Sequence, residues 1–226
     1  MVEIKIARVP GLADWWAAPK PANECFPSWI KDLRKDKLAD NKLNISDCLP
    51  AIEAILQGII IEFPATMTFE YLADHPKLGK MIACDHKGHP IIGGHEFSQY
   101  KGAEFQDFHV VKVGLPWVIE VPKGYSCLFT APFNRSGNAE AFCISGVVRC
   151  DRYYNMVSIP FAIPLKKKGD VMVIEKGRPF VQIIPLKQEG VKIISSQIDM
   201  TILETTIYQI NENPGYYKSM AKEQKK

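Results

Sequence analysis

The sequence predicts a mainly β, antiparallel domain, sandwich- or barrel-like, with one short helix and extended termini. Three observations predict it. From Ile59 onward, short runs rich in β-branched and aromatic residues recur at near-regular spacing, and Gly, Pro and Asp bound them. Only one stretch, residues 46–57, combines a clear helical period with start and stop signals. At 226 residues, with 46% hydrophobic and 23% charged residues, the chain can bury a large core and lacks the bias of a disordered or fibrous polymer.

The elements follow in order. Up to about Asn44, Pro10, Pro19, Pro21 and Pro27 alternate with Trp15, Trp16 and Trp29, the pattern of an irregular extended segment pinned by aromatic anchors. In residues 46–57, Ser46 is the expected N-cap, Pro50 is tolerated in the first turn, Leu49, Ile52, Ile55 and Leu56 form an apolar stripe, and Gly58 supplies the stop. Strands are expected near 59–63, 66–72, 80–84, 90–92, 108–113, 116–121, 125–131, 142–150, 156–163, 170–175 and 179–186. Three hairpins are expected, closed by Asp85-His86-Lys87-Gly88, Pro122-Lys123-Gly124 and Glu175-Lys176-Gly177.

Residues 191–213 fit two periods. Met200, Leu203, Ile207 and Ile210 have helical spacing, whereas Ile198, Met200, Ile202 and Tyr208 keep one parity and β-branched residues abound, so strand is the first expectation and helix the second. Pro214-Gly215 breaks the chain before residues 216–226, which read as a short basic helix or a frayed tail. The expected organisation is an N-terminal extension over 1–45, a β-rich core domain over 46–190, and a C-terminal arm and basic tail over 191–226.

The net charge is +3, and the surplus lies in the tail, where Lys218, Lys222, Lys225 and Lys226 stand against Glu223. The rest of the chain is neutral, which argues against nucleic-acid binding, since phosphate neutralisation needs a basic face. With no run of 18 apolar residues and no signal-peptide pattern in Met1–Pro10, the expectation is a cytoplasmic protein with no membrane partner. Six cysteines without C-x-x-C spacing read as buried thiols. Cys143 and Cys150, seven residues apart in one strand-like run, would face opposite sides of it.

The richest chemistry lies between Val121 and Leu186. In order come Pro122-Lys123-Gly124-Tyr125, then Arg135-Ser136-Gly137-Asn138-Ala139, then Gly146-Val147-Val148-Arg149-Cys150-Asp151-Arg152-Tyr153, then Lys176-Gly177-Arg178-Pro179-Phe180-Val181-Gln182. This order resembles the motifs of the dUTPase and dCTP deaminase superfamily, which has the β-clip fold. The resemblance implies a β-clip, a phosphate loop at Arg135, Ser136 and Gly137 with Gln182 nearby, and magnesium carried mainly by a triphosphate. It departs at the carboxylate, because Arg149 stands where the family has aspartate, and at Pro179-Phe180, where the family has isoleucine and alanine. Asp151, on the same strand face as Arg149, either substitutes as the catalytic carboxylate or pairs with that arginine. The pattern is also similar to uncharacterised proteins of tailed bacteriophages. That likeness implies a location in the host cytoplasm or the virion.

A second constellation, His86, His89 and His95 in a glycine-rich segment with Asp85, Glu96 and His109 nearby, has the residue types for zinc or iron. Satisfied surface or core histidines are the alternative. Three functions are therefore carried forward. The favoured one is a non-catalytic, phage-like β-module for assembly or protein interaction, a homo-oligomer with aromatic termini open to a protein partner. The others are a dUTPase-like nucleotide-binding or nucleotide-hydrolysing enzyme, and a cupin-like histidine-metal enzyme. The replaced carboxylate decides the order.

Overall fold

Turn chemistry sets the strand ends as expected at two places, but neither turn closes a hairpin, because the strands each one joins belong to different sheets. Tyr125 N–H bonds to Pro122 O at 3.1 Å with Gly124 at φ +87°, and Arg178 N–H bonds to Glu175 O at 3.3 Å, each the geometry of a turn that needs a positive φ at its third residue. The computed structural model describes residues 2–35, 44–75, 79–85, 92–135, 140–213 and 215–223. Among them, thirteen strands and four α-helices form, and the strand pairs are antiparallel.

The chain divides into two compact units, Met1–Cys25 with Leu56–Gln188, and Phe26–Ile55 with Glu189–Lys226. The first unit carries the strands: β1 Lys5–Arg8, β2 Lys20–Pro21, β3 Ile59–Glu62, β4 Met67–His75, β5 Gly79–Asp85, β6 Ile92–Gly94, β7 His109–Glu120, β8 Tyr125–Thr130, β9 Phe142–Cys143, β10 Gly146–Val148, β11 Met156–Ile163, β12 Val171–Ile174 and β13 Pro179–Lys187. One sheet runs β1-β7-β11-β9 with β6 also on β7, a second β10-β8-β13-β3-β2, and a third β12-β4-β5. Each keeps two edges among the described residues, so the barrel-like expectation gives way to open sheets with no closed barrel.

Side chains from the first two sheets interlock. Phe161 of β11 packs against Phe63 and Phe180 with ring centroids 5.6 and 5.4 Å apart, and Phe63 lies 4.7 Å from Phe180. All three rings are buried, and each contributes about 1.5–3 kcal/mol by leaving water. The N-terminal segment is anchored on this core by its tryptophan, as its sequence implies. Trp16 is buried edge-on to Trp117 at 5.3 Å, its Nε1 donates to Glu62 O at 2.9 Å, and Arg8 donates to the carbonyls of Ala13 and Trp16 while lying over the Trp117 ring. The segment is more regular than expected, because β1 completes a ladder from Lys5↔Glu120 to Arg8↔Trp117.

Two expected strands, 108–113 and 116–121, are one. β7 runs through Pro116 because its partner β11 skips there: Ser158 faces Gly114 and Met156 faces Val118, so the proline sits in a bulge where no ladder N–H is required. Conversely, the run 142–150 splits into β9 and β10, which join different sheets. Cys143 and Cys150 therefore do not share a strand.

The second unit holds the helices, four where one was expected. In α1, Ser28–Lys35, Arg34 and Lys35 complement the carbonyl end, and Asn44 Nδ2 caps the Leu33 carbonyl at 3.0 Å. The predicted 46–57 helix is a short 3-10 turn, Ile45–Asp47, followed by α2, Leu49–Ile55. The capping role assigned to Ser46 belongs to Asn44, which forms a reciprocal box with Asp47, while Ser46 is buried inside the turn. In the arm, helix wins over strand. Asp199 accepts from the N–H groups of Thr201 and Ile202 and starts α3, Met200–Glu212; α4 follows at Tyr216–Glu223. No helix among the described residues is long and apolar enough to cross a membrane.

Gly58 does more than end a helix. It has φ +65°, and a Cβ built on it would lie 1.9 Å from Ile183 O in β13. Gly58→Ala is expected to destabilise the protein by on the order of 3 kcal/mol through clash and strain together. Urea unfolding of the variant checks this, and a loss below about 1 kcal/mol would contradict the close approach.

Candidate functional site

Arg135 leaves the end of β8 on the loop that follows Phe133-Asn134. Its Nη2 donates to the Cys25 carbonyl, and its Nε is buried with no partner among the described residues. Around it, Lys20 Nζ lies 2.7 Å from Glu62 Oε2, and the Cys25 thiol donates to Glu62 Oε1 at 3.8 Å. Burial pushes the Arg135 guanidinium down from its ordinary value against the opposing pull of Cys25 and Glu62. Burial and the neighbouring Glu62 charge push the Cys25 thiol up, so it is a poor nucleophile. The other two residues of the expected phosphate loop, Ser136 and Gly137, lie outside the described residues.

Gln182 is fully buried on β13, and both ends of its amide are used. Its Oε1 accepts from Phe133 N–H at 3.0 Å and its Nε2 donates to Gln57 O at 2.7 Å. A buried amide left unsatisfied is costly, and these two bonds fix both the start of the Arg135 loop and the chain entering β3.

Asp151 lies at a different place. Its side chain is shut off from solvent; Oδ2 accepts from Gly124 N–H at 3.2 Å and Oδ1 accepts from Gln188 Nε2 at 3.1 Å. The same Gln188 Nε2 donates to Tyr125 O at 2.6 Å, and Gln188 N–H bonds to Gly124 O at 2.8 Å. Arg152, not Arg149, supplies the nearest cation, with Nε 3.7 Å from Oδ2. Burial alone would raise the Asp151 carboxyl, but the Gly124 N–H, the Gln188 amide and the charges of Arg152 and Arg149 outweigh it and hold it below the ordinary carboxylate value.

Register shows which of these residues come together. On β8, Thr130 faces Gln182 and Tyr125 faces Lys187; five strand residues separate the two ends, about 17 Å at the usual rise. Arg135 and Gln182 cluster at the Thr130 end, and Asp151 is fixed at the Tyr125 end. Of the residues that hold these groups, Gly124 was read as a turn residue and Cys25 as a thiol, whereas Gln188 and Glu62 were not singled out in the sequence. Gln188 and Cys25 act here through groups that leave no motif, an exposed-looking amide and a main-chain carbonyl.

Of the histidines, His86 and His89 lie outside the described residues. His95 Nδ1 is 2.5 Å from Gln99 Oε1, and its N–H bonds to Val110 O. His109 is a core residue, with Nε2 3.0 Å from Leu165 O and its ring edge-on to Tyr71 at 4.5 Å. The Tyr71 hydroxyl donates to Asp74 at 2.6 Å, which with burial pushes its pKa up to about 12. Among the described residues, no group of three His, Cys, Asp or Glu is placed to hold a metal ion.

Of the six thiols expected to be buried, Cys127, Cys143 and Cys150 are, whereas Cys25, Cys48 and Cys84 are half-buried. Burial pushes Cys143 up to about 12. A thiol–thiol hydrogen bond to Cys150, with burial, raises Cys127 as well.

No family model matches the chain, and no curated protein does. Among solved structures, the chain is similar to the dUTPase of Staphylococcus bacteriophage 80alpha, with 12% identity, 87% of this chain and 97% of that chain covered, and a TM-score of 0.39. It is also similar to the dUTPase from phage phi11 of S. aureus, with 10% identity, 88% and 99% covered, and a TM-score of 0.39.

The Asp151 corner makes a prediction about acid stability. Its folded pKa lies below the unfolded value of about 3.9, so the charged carboxylate stabilises the fold above that value, and the contribution is lost as pH falls through the folded value. Asp151→Asn is therefore expected to lower Tm at pH 7, with the gap to the unsubstituted protein closing between about pH 5 and pH 2. Thermal melts across that range check it, and a gap independent of pH would contradict the linkage.

Proposed function

We propose that this protein is a non-catalytic β-module serving assembly or protein interaction. The observation that carries the reading is the Asp151 carboxylate. Its side chain is shut off from solvent and both oxygens are taken by Gly124 and Gln188. A carboxylate that activates water must reach that water, directly or through one other, and keep an acceptor free for its proton. With Arg149 two residues before Asp151, the segment Gly146–Tyr153 offers no second carboxylate for that work. The engaged amide of Gln182 supports the same reading, since it has become part of the scaffold. The large apolar side chains that remain in water along the C-terminal arm support the interaction reading.

One observation favours a second reading. The Arg135 Nε has no partner among the described residues, and a buried guanidinium N–H left over is the kind of donor that a phosphate oxygen satisfies.

The two readings separate in one assay series. Deoxynucleoside and nucleoside triphosphates with magnesium are expected to give no pyrophosphate or phosphate release above buffer and no rise in Tm. A ligand at 100 times its Kd would add about 2.7 kcal/mol, a shift of several degrees in a chain of this size. Turnover that Asp151→Asn abolishes would overturn the non-catalytic reading. A Tm shift that Arg135→Ala removes would establish the nucleotide site in its place.

A further inference from the structure

Helix α3 is well made at both ends but has no core of its own. Asp199 Oδ1 accepts from Thr201 N–H at 3.0 Å and Ile202 N–H at 3.2 Å, and Asn213 N–H closes the other end on Gln209 O. The hydroxyls of Thr205 and Thr206 donate to the carbonyls one turn back, both at 2.8 Å. Yet every residue of α3 is exposed or half-buried. Met200, Ile207 and Ile210 keep 52, 48 and 49% of their surface in water. A 13-residue helix is marginal alone in water, so its stability has to come from covering an apolar stripe.

The stripe has a definite form. Met200, Leu203, Ile207 and Ile210 are spaced three, four and three residues apart, which is two heptads of alternating a and d positions and the narrow seam of a helix pair. Ile202 and Tyr208 lie off the seam. Glu204 and Asn211 flank it on one side, Asp199 and Thr206 on the other.

We propose that α3 is a self-recognition element: two copies of this chain associate through their α3 helices, packed antiparallel along the Met200–Leu203–Ile207–Ile210 seam. This rests on the interaction-module reading above and names its partner as a second copy of the chain. A seam whose a and d residues are all apolar is complementary to itself, and a two-fold axis closes the pair so that no seam is left over. Charge selects the direction. In a parallel pair, Asp199 of one helix would face Glu204 of the other, a like-charge contact, whereas in the antiparallel pair Glu204 faces Asn211 and Asp199 faces Thr206. Antiparallel packing also opposes the two helix dipoles.

Size is consistent with association. A stable interface removes about 800 Å² from each partner, more than two heptads supply. Immediately before α3, Val191, Ile193, Ile194 and Ile198 are 93, 89, 75 and 65% exposed. Together with the seam, these side chains extend the exposed apolar surface that pairing can cover.

Sedimentation velocity on the full chain over a wide concentration range tests the pairing, with a reversible monomer–dimer equilibrium expected. Leu203→Glu with Ile207→Glu is expected to give monomer throughout, with the main thermal transition kept, because neither side chain belongs to the β-sheet core. Asn211→Lys places a lysine opposite Glu204 twice per antiparallel dimer and is expected to tighten association about fivefold. In a parallel pair it would face Thr206 and change nothing. A monomer at every concentration, or a double variant that still dimerises, overturns the proposal, and an Asn211→Lys variant of unchanged affinity overturns the antiparallel geometry. The functional reading fails separately: a dimer that hydrolyses nucleotides sinks the non-catalytic assignment and keeps the pairing, while an inactive monomer does the reverse.

Discussion

The approach of residues 57 and 58 to β13 is the contact on which the β-unit depends. At this point the chain enters β3, and two different demands are met at once. The Gln182 amide needs an acceptor in the interior and finds the Gln57 carbonyl; the Ile183 carbonyl lies where any side chain at position 58 would collide with it. Glycine satisfies the second demand and leaves the backbone near enough to satisfy the first. The β3–β13 ladder, with Gln182 facing Ile60 and Ile183 facing Ile59, takes its register from that crossing. The same amide accepts from Phe133 N–H, so the loop leaving β8 is placed by it too. A single buried side chain thus sets the relation of three chain segments, and a mispaired β13 would leave its polar atoms without partners.

The Asp151 corner follows the same rule at the other end of β8. A buried carboxylate is tolerated only when its oxygens are occupied, and here a turn N–H and the amide of Gln188 occupy them while also closing the turn after β7. The charge is spent on architecture.

Much of the strand pattern was legible because glycine, proline and aspartate mark turns chemically. Gly124 and Gly177 stand where the turns need a positive φ, and the strands on either side follow. The errors have physical sources. Pro116 read as a break because a proline cannot donate to a ladder, but it sits in a bulge of β7 where the partner strand asks for no donor. The prolines of the first 27 residues hid β1 and masked the good helix formers of α1. In the arm, β-branched residues outweighed helical spacing on paper, whereas the Asp199 cap tips the balance in the folded chain. For the site, residue types were legible and company was not: Arg135 meets a main-chain carbonyl 110 positions away, and a carbonyl has no sequence signature.

The docking of β1 and Trp16 onto β7 has a consequence for the order of events during synthesis. β1 leaves the ribosome before its ladder partners, Trp117 to Glu120, and the Trp117 ring that meets Trp16 are made, about a hundred residues later. At ordinary translation rates the nascent chain carries an unpaired strand and an uncovered tryptophan for about 5–20 s. The β-sheet core cannot close from its N-terminus onward. It has to wait for the middle of the chain and then recruit its own beginning.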